Sequence, residues 1–296
     1  MRIRWDGTSI CVEAPAKINL FLEVIAQLSS GFHELETLMF AVGIYDSIRF
    51  TATDADAIDF QCTHSENSTF ELQPADEDNL VFRALTLLKR ESGTLQGAAV
   101  QLHKRIPMQA GMGGGSSNAA AALRVANLGW NLNWSPAQLS PLAESLGSDV
   151  PFFMEDGPAV CRGRGERITR LPKALRIPLV IAFPGVGLST ARVFQDCPIS
   201  ASPDSVSQML AAIDSQSVPA VGTTLRNRLQ TPAIKLAPAI AQLSHDFEQL
   251  GCYGHQMTGS GSGYFGLCRS LRHARRTARK LHARGWKNVT STTTVH

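Results

Sequence analysis

The sequence has no stretch approaching the roughly 18 consecutive apolar residues that a membrane-spanning helix needs. Its opening, MRIRWDGTSICVEAPAKINL, lacks the charged head and short apolar run of an export signal. A soluble, cytoplasmic chain is the expectation. An excess of one charge is also missing: 28 Lys+Arg against 25 Asp+Glu leaves +3, which by itself predicts neither nucleic-acid nor membrane binding. The six cysteines, Cys11, Cys62, Cys161, Cys197, Cys252 and Cys268, never form a Cys-x-x-Cys pair. That spacing disfavours a structural zinc site and a disulfide scaffold, and reads as reduced thiols. No internal repeat and no low-complexity segment is present, which sets solenoids and propellers aside. Aromatic residues are few, at 7%, yet 44% hydrophobic content over 296 residues is too much for disorder and enough for two cores.

Periodicity supplies the elements. From Ala14 to Val24 the chain alternates, with Lys17, Asn19, Phe21 and Glu23 on one face and Ile18, Leu20, Leu22 and Val24 on the other, as a strand requires. Ser29 to His33 reads as a turn and Glu34 to Phe40 as a second strand, so residues 12–50 are expected to pair antiparallel. Leu80 to Glu91 reads as a helix entered from an acidic turn, and Ala98 to Lys104 as a strand. The glycine-rich run after Pro107 is expected to be irregular until Ser117, where an Ala-rich helix begins. Ser135, Pro136 and Gln138 open a further helix that Gly147 closes, with Asp149 in the loop beyond. Ile177 to Phe183 is a strand. Helices follow at about 203–215 and 234–250, then a glycine turn at 259–263, a strand, and a last helix near 270–284. The break at Pro172 divides the chain into domains 1–172 and 173–296.

The sharpest chemical signal is GMGGGSSN. Successive N–H groups unobstructed by side chains, two hydroxyls and a helix N-terminus make a cradle for polyphosphate. No Lys follows the last glycine, as a Walker A loop demands, and no GxGxxG leads from strand to helix here. A serine-capped connector would serve without so many glycines and their entropic cost. Lys17 reads by default as a solvated lysine on an edge strand, but Pro15, small neighbours and Asn19 on the same face suggest a strand lining a cleft. Asp149 reads equally as a turn-forming Asx residue or as a proton acceptor. The run MTGSGSGYFG leads into a strand and fails as a dinucleotide motif; a tight hairpin and a ligand-closing turn both fit it. The last helix carries eight Lys/Arg between Arg269 and Lys287, ordinarily a solvated outer face. His33 could orient a polar ligand or be structural.

Together, APAKINLFLEV, GFHELETLMF, EDNLVFRA, KRIPMQAGMGGGSSNAAAAL, GSDVPFF, PGVGLSTARVF and MTGSGSGYF resemble the GHMP kinases, and they occur in that family's order. The resemblance implies an α+β, two-domain GHMP kinase fold with an S5-like N-terminal domain and a ferredoxin-like C-terminal domain. It implies an ATP- and Mg2+-dependent phosphotransferase acting on an alcohol. Within the superfamily it points to members that phosphorylate the 2-hydroxyl of a cytidyl diphosphate of methylerythritol, a small-molecule substrate of the non-mevalonate isoprenoid route. A mevalonate-like or sugar substrate is the alternative.

Lys17 and Asp149 match the family's catalytic pair. Pro107-Met108-Gln109-Ala110-Gly111-Met112-Gly113-Gly114-Gly115-Ser116-Ser117 matches its phosphate loop, and Asn79 a residue near the adenine. Asn19, Phe32, His33, Thr190 and Phe194 match substrate-binding positions. The metal ligands are not given by the pattern, with Ser117 the candidate from its place at the end of the loop. The chain departs from the family where Phe32 replaces Tyr, keeping stacking but losing a hydroxyl, and where Asn227-Arg228-Leu229-Gln230 replaces Asn-Asp-Leu-Glu. Ser148 and Thr258 are milder departures. A nucleic-acid-binding role for the basic helix, and a catalytically silent role, are the readings from other classes. Neither needs both Lys17 and Asp149.

Overall fold

The computed structural model describes residues 1–65 and 76–295. The chain forms two compact units: Met1–Ala16, Ile44–Met108 and Gly113–Asp156 make the first, and Lys17–Gly43, Gln109–Met112 and Gly157–His296 the second. In chain order its early elements are β1 (Arg2–Asp6), β2 (Ser9–Gln27), β3 (His33–Thr53), β4 (Ile58–His64), α1 (Leu80–Ser92), β5 (Gly97–Lys104), α2 (Gly114–Gly129), α3 (Pro136–Leu146) and α4 (Val150–Met154). The long strands β2 and β3 each begin in one unit and end in the other.

In the first unit, β1 pairs antiparallel with the start of β2, while the second half of β3 pairs antiparallel with β5 and β5 parallel with β4. Helix α1 starts where the carboxamide oxygen of Asn79 accepts the Val81 N–H at 3.0 Å, and ends at Gly93 in the left-handed region. It packs on α2. The alanines Ala119 to Ala122 are all fully buried, so α2 lies close to its neighbours over its whole circumference. At its far end, a Cβ on Gly129 would stand 2.3 Å from the Phe50 ring, and the Trp130 indole donates to Gly97 O at 2.9 Å. Ser135 and Gln138 open α3 as expected, the Gln138 side chain accepting the Ser135 N–H at 3.0 Å.

The second unit adds β6 (Ala159–Gly163), β7 (Arg167–Arg170), β8 (Pro178–Phe183), α5 (Thr190–Gln195), α6 (Ser207–Asp214), α7 (Val218–Thr223), β9 (Arg226–Asn227), α8 (Gln230–Leu236), α9 (Ala239–Glu248), β10 (Gly254–Met257), β11 (Tyr264–Leu267), α10 (Leu271–Ala283) and β12 (Asn288–Thr293). The first half of β3 pairs with β6, and β6 with β7. The other sheet has the order β10-β11-β8-β12, antiparallel throughout. Strand, helices, two strands, helix and strand in that order give the split βαβ topology of a ferredoxin-like domain, as expected from the sequence. Helix α10 packs on β8 and β12 through Ala274, Ala278 and Leu281, and its arginines Arg272, Arg275, Arg276 and Arg279 are exposed.

Several boundaries differ from the sequence reading, each for a local reason. Helix α2 begins at Gly114, not Ser117, because Gly113 takes φ 67° and the Ser117 N–H already bonds to Gly113 O at 2.9 Å. The stretch 234–250 is two helices. Ala237, the residue before Pro238, is forced to an extended ψ of 88° and breaks the run. The one-turn helix α5, the hairpin β6–β7 and the last strand β12 were not anticipated. All three are short or weakly alternating, and β6 and β12 also pair with strands distant in sequence, β3 and β8.

Candidate active site

The glycine-rich loop at 107–117 is held from its own chain neighbours outward. Gln109, Gly111 and Gly113 have φ of 51°, 68° and 67°, so the backbone alternates its direction three times before α2 begins. In the second unit the loop's middle is stapled by three main-chain bonds: Lys17 N–H to Met112 O at 2.9 Å, Gly263 N–H to Ala110 O at 3.0 Å and Leu188 N–H to Gln109 O at 3.3 Å. A Cβ on Gly111 would lie 2.1 Å from Thr258 O, and one on Gly263 2.5 Å from Ala110 O. The glycine turn at 259–263 therefore exists to approach the loop closely. It is not a tight hairpin: Met257 and Tyr264 are the last paired residues, and Thr258 to Gly263 closes on itself through Thr258 N–H to Gly263 O at 2.8 Å.

Lys17 is the principal correction to the default reading. Its side chain is only 3% exposed on β2, not solvated at an edge. Its Nζ donates to Asn19 Oδ1 at 2.7 Å, and Asn19 Nδ2 donates in turn to Thr37 Oγ1 at 2.8 Å, whose hydroxyl donates to Phe21 O at 2.6 Å. Thr258 Oγ1 accepts the Asn19 N–H at 3.0 Å and donates to Asn19 Oδ1 at 3.2 Å. The amide that meets the buried amine is thus itself held on both sides, by Thr258 at its oxygen and Thr37 at its NH2 group. Asp149, in the first unit, lies in the turn after α3 as expected, just before the short helix α4, and its carboxylate does not cap that helix.

At the start of α2 in the first unit, Ser117 Oγ and Asn118 Oδ1 are buried with no hydrogen-bond partner among the described residues. Orphaned buried oxygens are costly, and a helix N-terminus is electrostatically suited to phosphate. Both fit a polyphosphate with its cation: the N–H groups would face anionic oxygens and the Ser117 hydroxyl could ligate a metal. Beneath this turn lies a cluster the sequence reading missed. Fully buried Asp46 forms an ion pair with Lys104 and accepts hydrogen bonds from Arg105 N–H at 2.6 Å, Ile106 N–H at 2.8 Å and Asn118 Nδ2 at 2.9 Å. It thus ties the entry of the loop to the first turn of the helix. Its signal was present: Asp46 occupies an inward phase with Ile48 and Phe50, where a carboxylate is out of place.

Of the remaining predicted residues, Phe32, His33, Thr190 and Phe194 lie in the second unit. The rings of His33 and Phe194 stack at 5.2 Å with an interplanar angle of 29°. Phe32 is 53% exposed, with the Arg164 guanidinium 4.7 Å above its ring. Thr190 Oγ1 lies 2.9 Å from Ser260 Oγ. Asn79, in the first unit, is the cap of α1.

Comparison with known proteins identifies the family. The family model for the GHMP kinases N terminal domain matches residues 79–157, and that for GHMP kinases C terminal matches 209–288. The chain belongs to the GHMP kinase family. More narrowly, it is 38% identical over 267 residues to the 4-diphosphocytidyl-2-C-methyl-D-erythritol kinase of Pelotomaculum thermopropionicum, covering 90% of this chain and 91% of the relative. The kinase of the same name from a Geobacillus species is 36% identical, covering 87% and 88%. A crystal structure of a 4-(cytidine 5'-diphospho)-2C-methyl-D-erythritol kinase superimposes with a TM-score of 0.81 at 34% identity, over 97% of this chain and 100% of that one. A homoserine kinase from Cytophaga hutchinsonii, 19% identical with a TM-score of 0.72, shares the fold.

Proposed function

We propose that the chain transfers the γ-phosphoryl group of ATP to the 2-hydroxyl of 4-diphosphocytidyl-2-C-methyl-D-erythritol. The observation that carries the chemistry is the buried Lys17, joined by its own backbone to the glycine loop and by its amine to Asn19. The relatives' shared name carries the substrate. In this reading Asp149 accepts the hydroxyl proton as the alkoxide oxygen bonds to the γ-phosphorus and ADP departs with the bond to its terminal oxygen. Lys17 steadies the charge that develops. Residues 107–117 would cradle the phosphates. A magnesium ion would draw charge from the phosphate oxygens, with Ser117 the side chain on hand to hold it. The amide oxygen of Asn79 is committed to its helix cap, so contact with adenine would fall to its NH2 group. Phe32 and the His33–Phe194 stack offer flat faces to the cytosine, and Asn19 and Thr190 offer polar contacts. The division 1–172 and 173–296 is retained as a proposal, supported by the two family-model matches lying on either side of it.

ADP release with Mg-ATP tests the reading, comparing the cytidyl substrate with mevalonate, homoserine, galactose and no acceptor. Turnover on the cytidyl substrate alone is expected, with Asp149→Ala slower by about three powers of ten and ATP binding unchanged. Comparable kcat in Asp149→Asn would remove that residue from the role of base. Turnover on another alcohol would keep the phosphate loop and reassign Phe32, His33 and Phe194.

A further inference from the structure

Two-residue strand β9 lies parallel to β2, with Arg226 opposite Phe21 and Asn227 opposite Leu22. Nothing in the proposed reaction uses it, yet the Asn227 side chain is fully engaged. Its Nδ2 donates to Met257 O at 2.8 Å and to Gly259 O at 2.9 Å, and its Oδ1 accepts the Leu229 N–H at 3.0 Å. The two carbonyls flank Thr258, the residue whose hydroxyl contacts both the backbone and the side chain of Asn19. Gly259 itself presses into the site: at φ 56°, a Cβ there would lie 2.6 Å from Gly111 O and 3.1 Å from Lys17 Nζ. Gln230 Oε1 accepts the Met257 N–H at 2.8 Å, so the strand leading into the turn is anchored on its other side as well.

We infer that Asn227 is a positioning residue for phosphoryl transfer, acting through the Met257–Gly259 turn on the Lys17 amine and the middle of the phosphate loop. One amide clamps two carbonyls on either side of a single residue, so the Thr258 hydroxyl and the Gly259 backbone have one position relative to Asn19 and Lys17. Asn19 Oδ1 then receives hydrogen bonds from both Thr258 and Lys17, and the amine is aimed by an acceptor that cannot swing away. No other side chain serves equally. Asp has no donor for the two carbonyls, and Ala has neither donor nor acceptor. Misplacement of a charged group by less than an ångström is enough to cost about 10- to 100-fold in rate.

The inference rests on the role proposed for Lys17, and the experiment separates the two. ADP release with the cytidyl substrate is measured for Lys17→Met, Asn227→Ala, Asn227→Asp, Thr258→Val and the Lys17→Met/Asn227→Ala double variant. Asn227→Ala and Asn227→Asp should each lower kcat roughly 10- to 100-fold while KM for the cytidyl substrate stays within about twofold. The double variant should be no slower than Lys17→Met alone, since the clamp has nothing left to aim. Wild-type kcat in Asn227→Asp, or losses that multiply in the double variant, would overturn the inference. Wild-type kcat in Lys17→Met would overturn the reading of Lys17 instead. Should the Asn227 variants not fold, Thr258→Val decides: it leaves the clamped carbonyls in place, and its kcat must fall with KM unchanged.

Discussion

At the scale of single residues, Asp46 and Ser117 make opposite predictions. Asp46 satisfies four donors from a fully buried position, three of them in the segment that enters and leaves the phosphate loop. Asp46→Asn keeps the shape but replaces one acceptor oxygen by a donor and strands the Lys104 ammonium. Removing one partner of a buried ion pair costs about 3 kcal/mol, so a lower melting temperature and a higher KM for ATP are expected together. An unchanged melting temperature would show that Lys104 finds other oxygens. Ser117 Oγ has no hydrogen-bond partner among the described residues. Ser117→Ala should leave the melting temperature of the nucleotide-free protein within about 1 °C, while shrinking the stabilisation that saturating Mg-ADP provides. A large loss without nucleotide would give the hydroxyl a structural role and remove it from the cation site. Neither residue stands out by composition. Asp46 could be suspected from its inward phase, but its four partners lie 58 or more residues away and only folding gathers them.

At the scale of elements, the glycine loop is a device for close approach as much as for turning, and the two can be told apart. Gly93 and Gly111 have nearly the same φ, 67° and 68°, but an added Cβ meets nothing within 4 Å at Gly93 and Thr258 O at 2.1 Å at Gly111. Gly93→Ala should cost only the left-handed penalty, about 1 kcal/mol. Gly111→Ala must also push the loop off the 258–263 turn, so a larger drop in melting temperature and a raised KM for ATP are expected. Equal effects of the two substitutions would mean that the turn yields easily. The loop's location was legible in GMGGGSSN, whereas the partner that demands glycine at 111 was not, because Thr258 lies far along the chain. The same limit applies to helix boundaries. The cap of α3 was readable because Ser135, Pro136 and Gln138 are local, and the start of α2 was misplaced because glycines with poor helix propensity are kept helical by the packing around them.

For the whole molecule, stability against acid follows from groups that the fold holds away from their ordinary titration. Burial pushes the Glu23 carboxyl up, but the bidentate Arg228 guanidinium and the Val24 and Asp204 N–H groups outweigh it and hold it below the ordinary 4.5. The unfolded chain takes up that proton first, so the stabilisation is complete above about pH 4.5 and is lost as pH falls through the folded value. Burial also lowers His255 and His273 from 6.5, which adds a decline that begins near that pH. The melting temperature should therefore fall in two ranges on acidification. Glu23→Gln should be less stable at pH 7, with Asp204 the remaining acidic partner of Arg226 and Arg228, and should show a shallower decline below about pH 4.5. A parallel decline in both proteins would place the acid-labile group elsewhere.

Features that depend on neighbours within a few residues were legible in the sequence: the alternation that puts Lys17 and Asn19 on one face, the cap of α3, the glycine loop before an alanine-rich helix, and through them the family. Only folding shows that Lys17 is buried, that Thr258 and Asn227 stand behind it, and that Asp46 underlies the glycine-rich loop. Those facts depend on contacts between residues tens to hundreds of positions apart, and the energy of burying a charge or a polar group is set by what the fold brings against it.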